Sequence, residues 1–175
     1  MEKHIKFKIG KRIINYNKRP FIVAEMSGNH NNSLRRAMKI IDAAAKCGAD
    51  AIKLQTYTAD TITLDSDKKY FKINDKRSLW HKQKLYDLYK KAHTPWKWHK
   101  PLMDHAKKRG ILCFSAPFDL TAVDFLEEIN CPVYKIASFE SNHFPLIEKV
   151  SLTKKPVIVS TGMATKKELF EIVKI

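Results

Sequence analysis

The chain has 175 residues, 44% of them apolar and 10% aromatic, and a formal net charge of +15. That is enough apolar side chain for one packed domain, and it argues against a disordered segment. No run approaches the roughly 18 apolar residues that a spanning helix needs, and the basic residues are spread over turns and helix faces ("LYKKAH", "AKKRG", "LTKKP"), which favours a solvated surface that steers anionic small molecules over a nucleic-acid groove.

The first residues, "IKFKIGKRIINYN", read as a β-hairpin around Gly10-Lys11, within residues 1–17. This N-terminus has no continuous apolar stretch of the signal-peptide kind, so a cytoplasmic location is expected. A repeating unit follows. "PFIVAEM" (20–26) is a buried strand. The helix near 33–47 carries Leu34, Met38, Ile41 and Ala45 on one face and stops at Gly48. "AIKLQT" is the second buried strand and "ILCFSAP" (111–117) the third, preceded by a helix from Trp96 to Arg109. A helix from Asp119 to Ile129 leads to "VYKIAS" (133–138), and one near 144–152 leads to "PVIVSTG" (156–162). The last helix opens on the capping box Thr165-x-x-Glu168. The long connection 56–95 contains one short helix, "KQKLYDLYKKA", and excursions of this length tend to cover binding sites.

Strands alternating with helices mean α/β architecture with a parallel sheet. An open doubly wound sheet would have a glycine-rich turn after its first strand, but "EMSGNHNNS" holds only Gly28. A (β/α)8 barrel would have polar residues at the C-terminal ends of several strands, as here, although five strands are too few to close one. Cys47, Cys113 and Cys131 are far apart and read as small hydrophobes of a reducing compartment.

Residues two apart on a strand share a face. One face would then carry Glu25, Lys53 and Gln55, Cys113 and Ser115, Lys135, and Ser160. Two lysines in matched register repel each other, and one glutamate does not balance both. A doubly charged phosphate would, ringed by the hydroxyls of Ser115, Ser138 and Ser160 and the backbone N–H groups of Thr161 and Gly162. Alternatively, each lysine reaches solvent at the sheet rim or pairs with a carboxylate, or Lys135 serves as a Schiff-base nucleophile. His30 in "NHN" is a lone loop histidine. Glu140 follows the fourth strand and could accept hydrogen bonds from a sugar or cap a helix. Trp96, Trp98 and His99 read as a helix start that packs on the sheet.

"FIVAEMSGNHNNSLRRAMKIIDAAAKCGADAIKLQTYTADTITL", "GILCFSAPFD", "YKIASFESNHFPLI" and "KPVIVSTGMAT" resemble the nonulosonic (sialic) acid synthases over essentially the whole chain. "IKLQTYTADTITL" and "KIASFE" look most like the pseudaminic acid branch, whereas "SNHFPLI" looks more like the N-acetylneuraminate branch. The resemblance implies a TIM barrel followed by an antifreeze-like domain, and condensation of phosphoenolpyruvate with an acetamido sugar in a homodimer. It implies that Lys53, Ser115, Lys135, Ser138, Ser160, Thr161 and Gly162 hold phosphoenolpyruvate. Glu25 would stand at the reacting centre, and Gln55 and Glu140 would meet the sugar. It also implies a divalent metal, manganese or magnesium, whose histidine ligands lie in a later part of the barrel and not in this chain. The chain would thus be the first part of the barrel, without its C-terminal half or the antifreeze-like domain. The 175 residues alone are expected to self-associate and to show no synthase activity. Turnover by the purified chain would overturn that expectation.

Overall fold

The computed structural model describes residues 7–15 and 17–175. Ile5, Lys6 and Tyr16 of the predicted hairpin lie outside the described residues. The hairpin pairs β1 (Phe7–Ile9) with β2 (Arg12–Ile14), antiparallel, and Gly10 takes the left-handed turn conformation, φ +58°. A Cβ on Gly10 would stand 2.6 Å from a Leu112 methyl, so the turn lies directly on the sheet.

β3 (Val23–Glu25), β4 (Ala51–Thr56), β5 (Leu112–Pro117), β6 (Tyr134–Ile136) and β7 (Val157–Val159) form one parallel sheet in that spatial order. The order never reverses. With the near-universal right-handed crossover, a sequence-ordered sheet puts its connecting helices on one side, whereas a doubly wound sheet needs a reversal. The doubly wound alternative therefore fails on topology as well as on its missing glycines.

The connecting helices begin and end where the sequence signals. α1 (Leu34–Lys46) opens with the Ser33 side chain accepting the Arg36 N–H, and Gly48 follows it at φ +80°. α4 (Trp96–Lys108) leads to Gly110 at φ +77°. α5 (Leu120–Glu128) is capped by Asp119, whose carboxylate accepts the Thr121 and Ala122 N–H groups. α6 (Phe144–Leu152) precedes β7, and α7 (Lys166–Lys174) carries the predicted Thr165–Glu168 capping box. The excursion after β4 contains α3 (Leu85–Ala92) and a four-residue helix, α2 (Ala59–Ile62), too short to leave a hydrophobic period.

The helix side of the sheet is sealed by Ile52, Leu54 and Cys113 packed with Ile41 and Leu102. On the opposite face, Ala51, Phe114 and Val133 share a core cluster with Ile9 of the hairpin. Cys113 and Cys131 are buried free thiols, and burial pushes Cys131 up to about 11, as expected of inert core cysteines. Cys47 is free and exposed.

Asp50, just before β4, ties the hairpin to the sheet. Its carboxylate accepts Arg12 at 2.5 Å, Arg19 at 2.7 and 3.1 Å, and the Ile22 N–H at 2.8 Å. These donors hold its pKa below the usual carboxylate range although burial pushes the other way. Asp50→Ala should cost about 1–3 kcal/mol by leaving two guanidinium groups and a peptide N–H without their acceptor. Because the folded pKa is depressed, this stabilisation is complete above the ordinary carboxylate pKa and is lost as pH falls through the folded value. Denaturant unfolding at neutral and acid pH checks both points. Equal stability of the variant at neutral pH would refute the assignment.

Candidate active site

The Cα register fixes which side chains share a face. Glu25 lies level with Lys53, and Lys53 with Phe114. Leu54 pairs with Ser115 and Ser115 with Tyr134, so Lys135 stands level with Gln55, two residues beyond Lys53. Lys135 pairs in turn with Ile158. The two lysines therefore share a face but are staggered, not in matched register.

Glu25 and Lys53 form a direct ion pair, and the other Glu25 oxygen accepts the Ser27 N–H at 3.1 Å. Lys135 Nζ donates to Ser160 Oγ at 2.5 Å and to the Ile136 carbonyl at 2.7 Å. Its own hydrogen bonds thus go to neutral oxygens. Burial, and then the charge of Lys53, holds the Lys135 pKa below the ordinary lysine range, while Glu25 and Glu140 oppose that shift. An ammonium in this setting favours an additional anion.

The loops after β6 and β7 meet beside this group. Ser138 Oγ accepts the Met163 N–H at 3.0 Å, and a Cβ on Gly162 would stand 3.5 Å from the same oxygen. Thr161 is exposed at the start of that turn, its carbonyl accepting the Ala164 N–H. Ser138, Ser160, Thr161 and Gly162 are thus gathered at one end of the sheet with both lysines.

Ser115 is not among them. The register turns it to the helix side, where it is 1% exposed and bonds Thr56 Oγ1 at 2.6 Å. Thr56 also contacts His99 Nε2 at 2.9 Å. Cys113 turns the same way and packs in the helix-side core. The expected face was inverted for this one strand because a nearly continuous apolar run gives no alternation to count, and a one-residue slip exchanges the faces.

Gln55 and Glu140 connect the lysines to a cleft of about 820 Å³. The loop after β3 contributes Ser27, Gly28, Asn29 and Asn31 to its lining, and the excursion contributes Ile62, Trp80, Leu88 and Tyr89. Tyr57, Phe118 and Phe139 line it too. Ser27 Oγ donates to Gln55 Oε1 at 3.3 Å. Glu140 Oε2 is buried without a hydrogen-bond partner among the described residues, and burial raises its pKa above the usual carboxylate range. A buried, unpartnered carboxyl oxygen in a cleft is poised for a ligand's hydroxyl or amide. Sequence reasoning missed Ser27 because a loop serine at φ +48° leaves no pattern; its place directly after the Glu25 strand is the one available hint.

Other candidates resolve as structure. His30 is fully buried, accepts the Asn32 N–H on Nδ1 at 3.1 Å, and faces Thr94 Oγ1 with Nε2 at 3.2 Å, so both ring nitrogens are engaged. Trp96 stacks on Phe125 with centroids 4.7 Å apart, and Trp98 meets the His30 ring edge-on, as expected of a helix start packed on the sheet. A second cavity, about 930 Å³, lies under the hairpin at the opposite strand ends. Its Arg12, Arg19, Lys100 and Arg109 are already paired with Asp50, Asp104 and Asp42. Among the described residues no three His, Cys, Asp or Glu side chains are grouped to hold a metal ion, and no helix is long and apolar enough to cross a membrane.

Comparison with known proteins places this geometry. Residues 40–175 match the NeuB family. The chain is 52% identical over 161 residues to the pseudaminic acid synthase of Campylobacter jejuni, covering 92% of this chain and 46% of that protein. It is 49% identical over 150 residues to the Helicobacter pylori pseudaminic acid synthase, covering 86% and 44%. The crystal structure of the N-acetylneuraminic acid synthetase of Leptospira borgpetersenii, in complex with citrate, superimposes with a TM-score of 0.83 at 29% identity, over 98% of this chain and 54% of that one. The chain spans about half the length of the curated relatives it matches. A parallel sheet with its polar residues collected at one end, and a match over most of its length, make this chain a member of the NeuB family.

Proposed function

We propose that this chain is the phosphoenolpyruvate-binding part of a synthase that makes a nonulosonic acid, with pseudaminic acid favoured as product. The carrying observation is the staggered pair Lys53 and Lys135 on one sheet face, Lys135 bonded, among the described residues, to neutral oxygens. The named activity of the relatives that are 49–52% identical supports the product. The sheet order supports a (β/α)8 barrel whose remaining units come from outside these 175 residues.

In this reading Lys53, Lys135, Ser138, Ser160, Thr161 and Gly162 hold the phosphate and carboxylate of phosphoenolpyruvate; Ser115, on the helix side, does not. The C2=C3 π pair of phosphoenolpyruvate forms a bond from C3 to the aldehyde carbon of an open-chain acetamido sugar; the carbonyl π pair goes to the aldehyde oxygen, which takes up a proton, and C2 is left cationic. Water adds at C2, the C2–O bond breaks, and phosphate leaves. Glu25, held by Lys53 and the Ser27 N–H, is placed to stabilise positive charge at C2 or to take a proton from the water. Gln55 and Glu140 hold the sugar. A divalent metal would polarise the aldehyde. The described side chains do not fit a metal site on their own, so no step is assigned through one.

Phosphate release by the full-length protein should require both phosphoenolpyruvate and the sugar. Lys53→Ala and Lys135→Ala should each lower kcat/KM by about 100-fold or more, the scale of a lost transition-state electrostatic contact. Near-normal rates in both variants would sink the assigned roles. Borohydride should leave no substrate-derived adduct on Lys135; a trapped adduct would favour a Schiff-base aldolase instead.

The lysine coupling has its own test. Lys53→Met removes a neighbouring positive charge and should move the Lys135 pKa up toward the ordinary range. The pH profile of Lys135 acylation, followed by mass spectrometry, would then shift to higher pH. An unmoved profile would show that the two ammonium groups do not sense each other.

A further inference from the structure

We propose that the excursion between β4 and α4 determines which acylamino sugar is accepted, by packing the sugar's N-acyl methyl groups against Ile62, Leu88 and Tyr89. The inference rests on the reading of the site given above. The cleft has two kinds of lining. Asn29, Gln55 and Glu140 offer polar atoms, which suit ring hydroxyls and amides, whereas α2 and α3 present apolar and aromatic side chains. The acyl methyl groups are the apolar parts of an acetamido sugar that such a lining can desolvate. The strand-end lysines, being charged, have no means of telling one acyl group from another.

Discrimination by a single carbon needs a wall that does not yield, and this one is braced on three sides. Tyr89 meets Tyr57 edge-on with centroids 5.7 Å apart, and Tyr57 meets Phe118 in the same way at 5.4 Å. Tyr57 is 4% exposed, and its carbonyl accepts the Trp96 indole N–H at 3.3 Å. The two helices are tied together, since Tyr86 of α3 donates to Asp60 of α2 at 2.8 Å and a Thr58–Thr61 capping box closes α2. The end of α3 also rests on the loop after β3: a Cβ on Gly28 would stand 3.2 Å from the Ala92 carbonyl oxygen. The spacing between the apolar wall and the polar loop is thereby set by backbone contact.

The test compares N-acetyl and N-propanoyl forms of the accepted amino sugar in the full-length protein, with Ile62→Ala and Leu88→Ala as variants. Both residues are partly buried in the excursion, away from the sheet core. The propanoyl-to-acetyl ratio of kcat/KM should rise about tenfold or more in at least one variant, the range in which a pocket senses one methylene. KM for phosphoenolpyruvate should stay within about twofold. Ile62→Val and Leu88→Val, which keep the fold under milder truncation, should raise the ratio in the same direction by less. A ratio unmoved in variants that still use the acetyl sugar would overturn the wall while leaving the proposed reaction intact. A phosphoenolpyruvate KM that moves as much as the ratio would also overturn it, as general damage. Absence of phosphate release from any acylamino sugar in the unmodified protein would instead overturn the reaction and the wall together.

Discussion

Two ammonium groups and one exposed carboxylate on the same face of a parallel sheet set the terms for this molecule. Lys53 is answered directly by Glu25, while Lys135 is answered by a hydroxyl and a peptide carbonyl. Burial and the neighbouring charge weigh against its protonated form. An anion relieves both costs at once, because it supplies opposite charge where water is scarce. The clustering of serine hydroxyls and the turn at Gly162 follows the same logic, since a polyatomic anion needs donors as well as charge.

Such a group survives at the end of a sheet only if the rest of that face needs no polar satisfaction. Below the lysines the face is filled by Ala51, Phe114 and Val133, and Ile9 of the hairpin packs into the same cluster. The hairpin is in turn fastened by Asp50, which holds Arg12, Arg19 and the Ile22 N–H from the residue preceding β4. Apolar filling at one end and polar side chains at the other make the face directional. The cavity under the hairpin is larger, but its arginines are already paired.

Most of the fold could be read from residue patterns, and the strand whose face came out inverted is instructive. Helix ends were legible because Ser33, Asp119, Thr165, Gly48 and Gly110 mark them with local chemistry. Four strand faces were legible because a charged or polar residue interrupts an apolar run at period two. In "ILCFSAP" counting by twos from the end of the strand puts Ser115 on the face of the lysines, one residue out of register with the observed sheet. Such a count cannot include a partner from elsewhere in the sequence: Thr56 is 59 positions away. The tertiary hydrogen bond decided the face, and no single-strand pattern contains it. The cleft wall was hidden for the same reason, because Ile62, Leu88 and Tyr89 meet only after α2 and α3 dock.

β4 explains why these distant pieces act as one site. Lys53 and Gln55 share a face, one beside the carboxylate of Glu25 and the other toward the cleft. Thr56 turns to the helix side and joins His99 and Ser115. His99 directs Nδ1 at the Pro95 carbonyl, 3.4 Å away, while Nε2 stands 2.9 Å from Thr56 Oγ1, and the Thr56 and Ser115 hydroxyls bond each other at 2.6 Å. Burial lowers the His99 pKa to about 4, so the ring stays neutral near neutral pH. Tyr57, the next residue, starts the aromatic brace that reaches Tyr89. Alternation along one strand thus sets Lys53 and Gln55 on one face and the contacts of Thr56 with His99 and Ser115 on the other. The strand that carries Gln55 into the cleft is therefore held from behind the sheet, through the side chain of its neighbour Thr56.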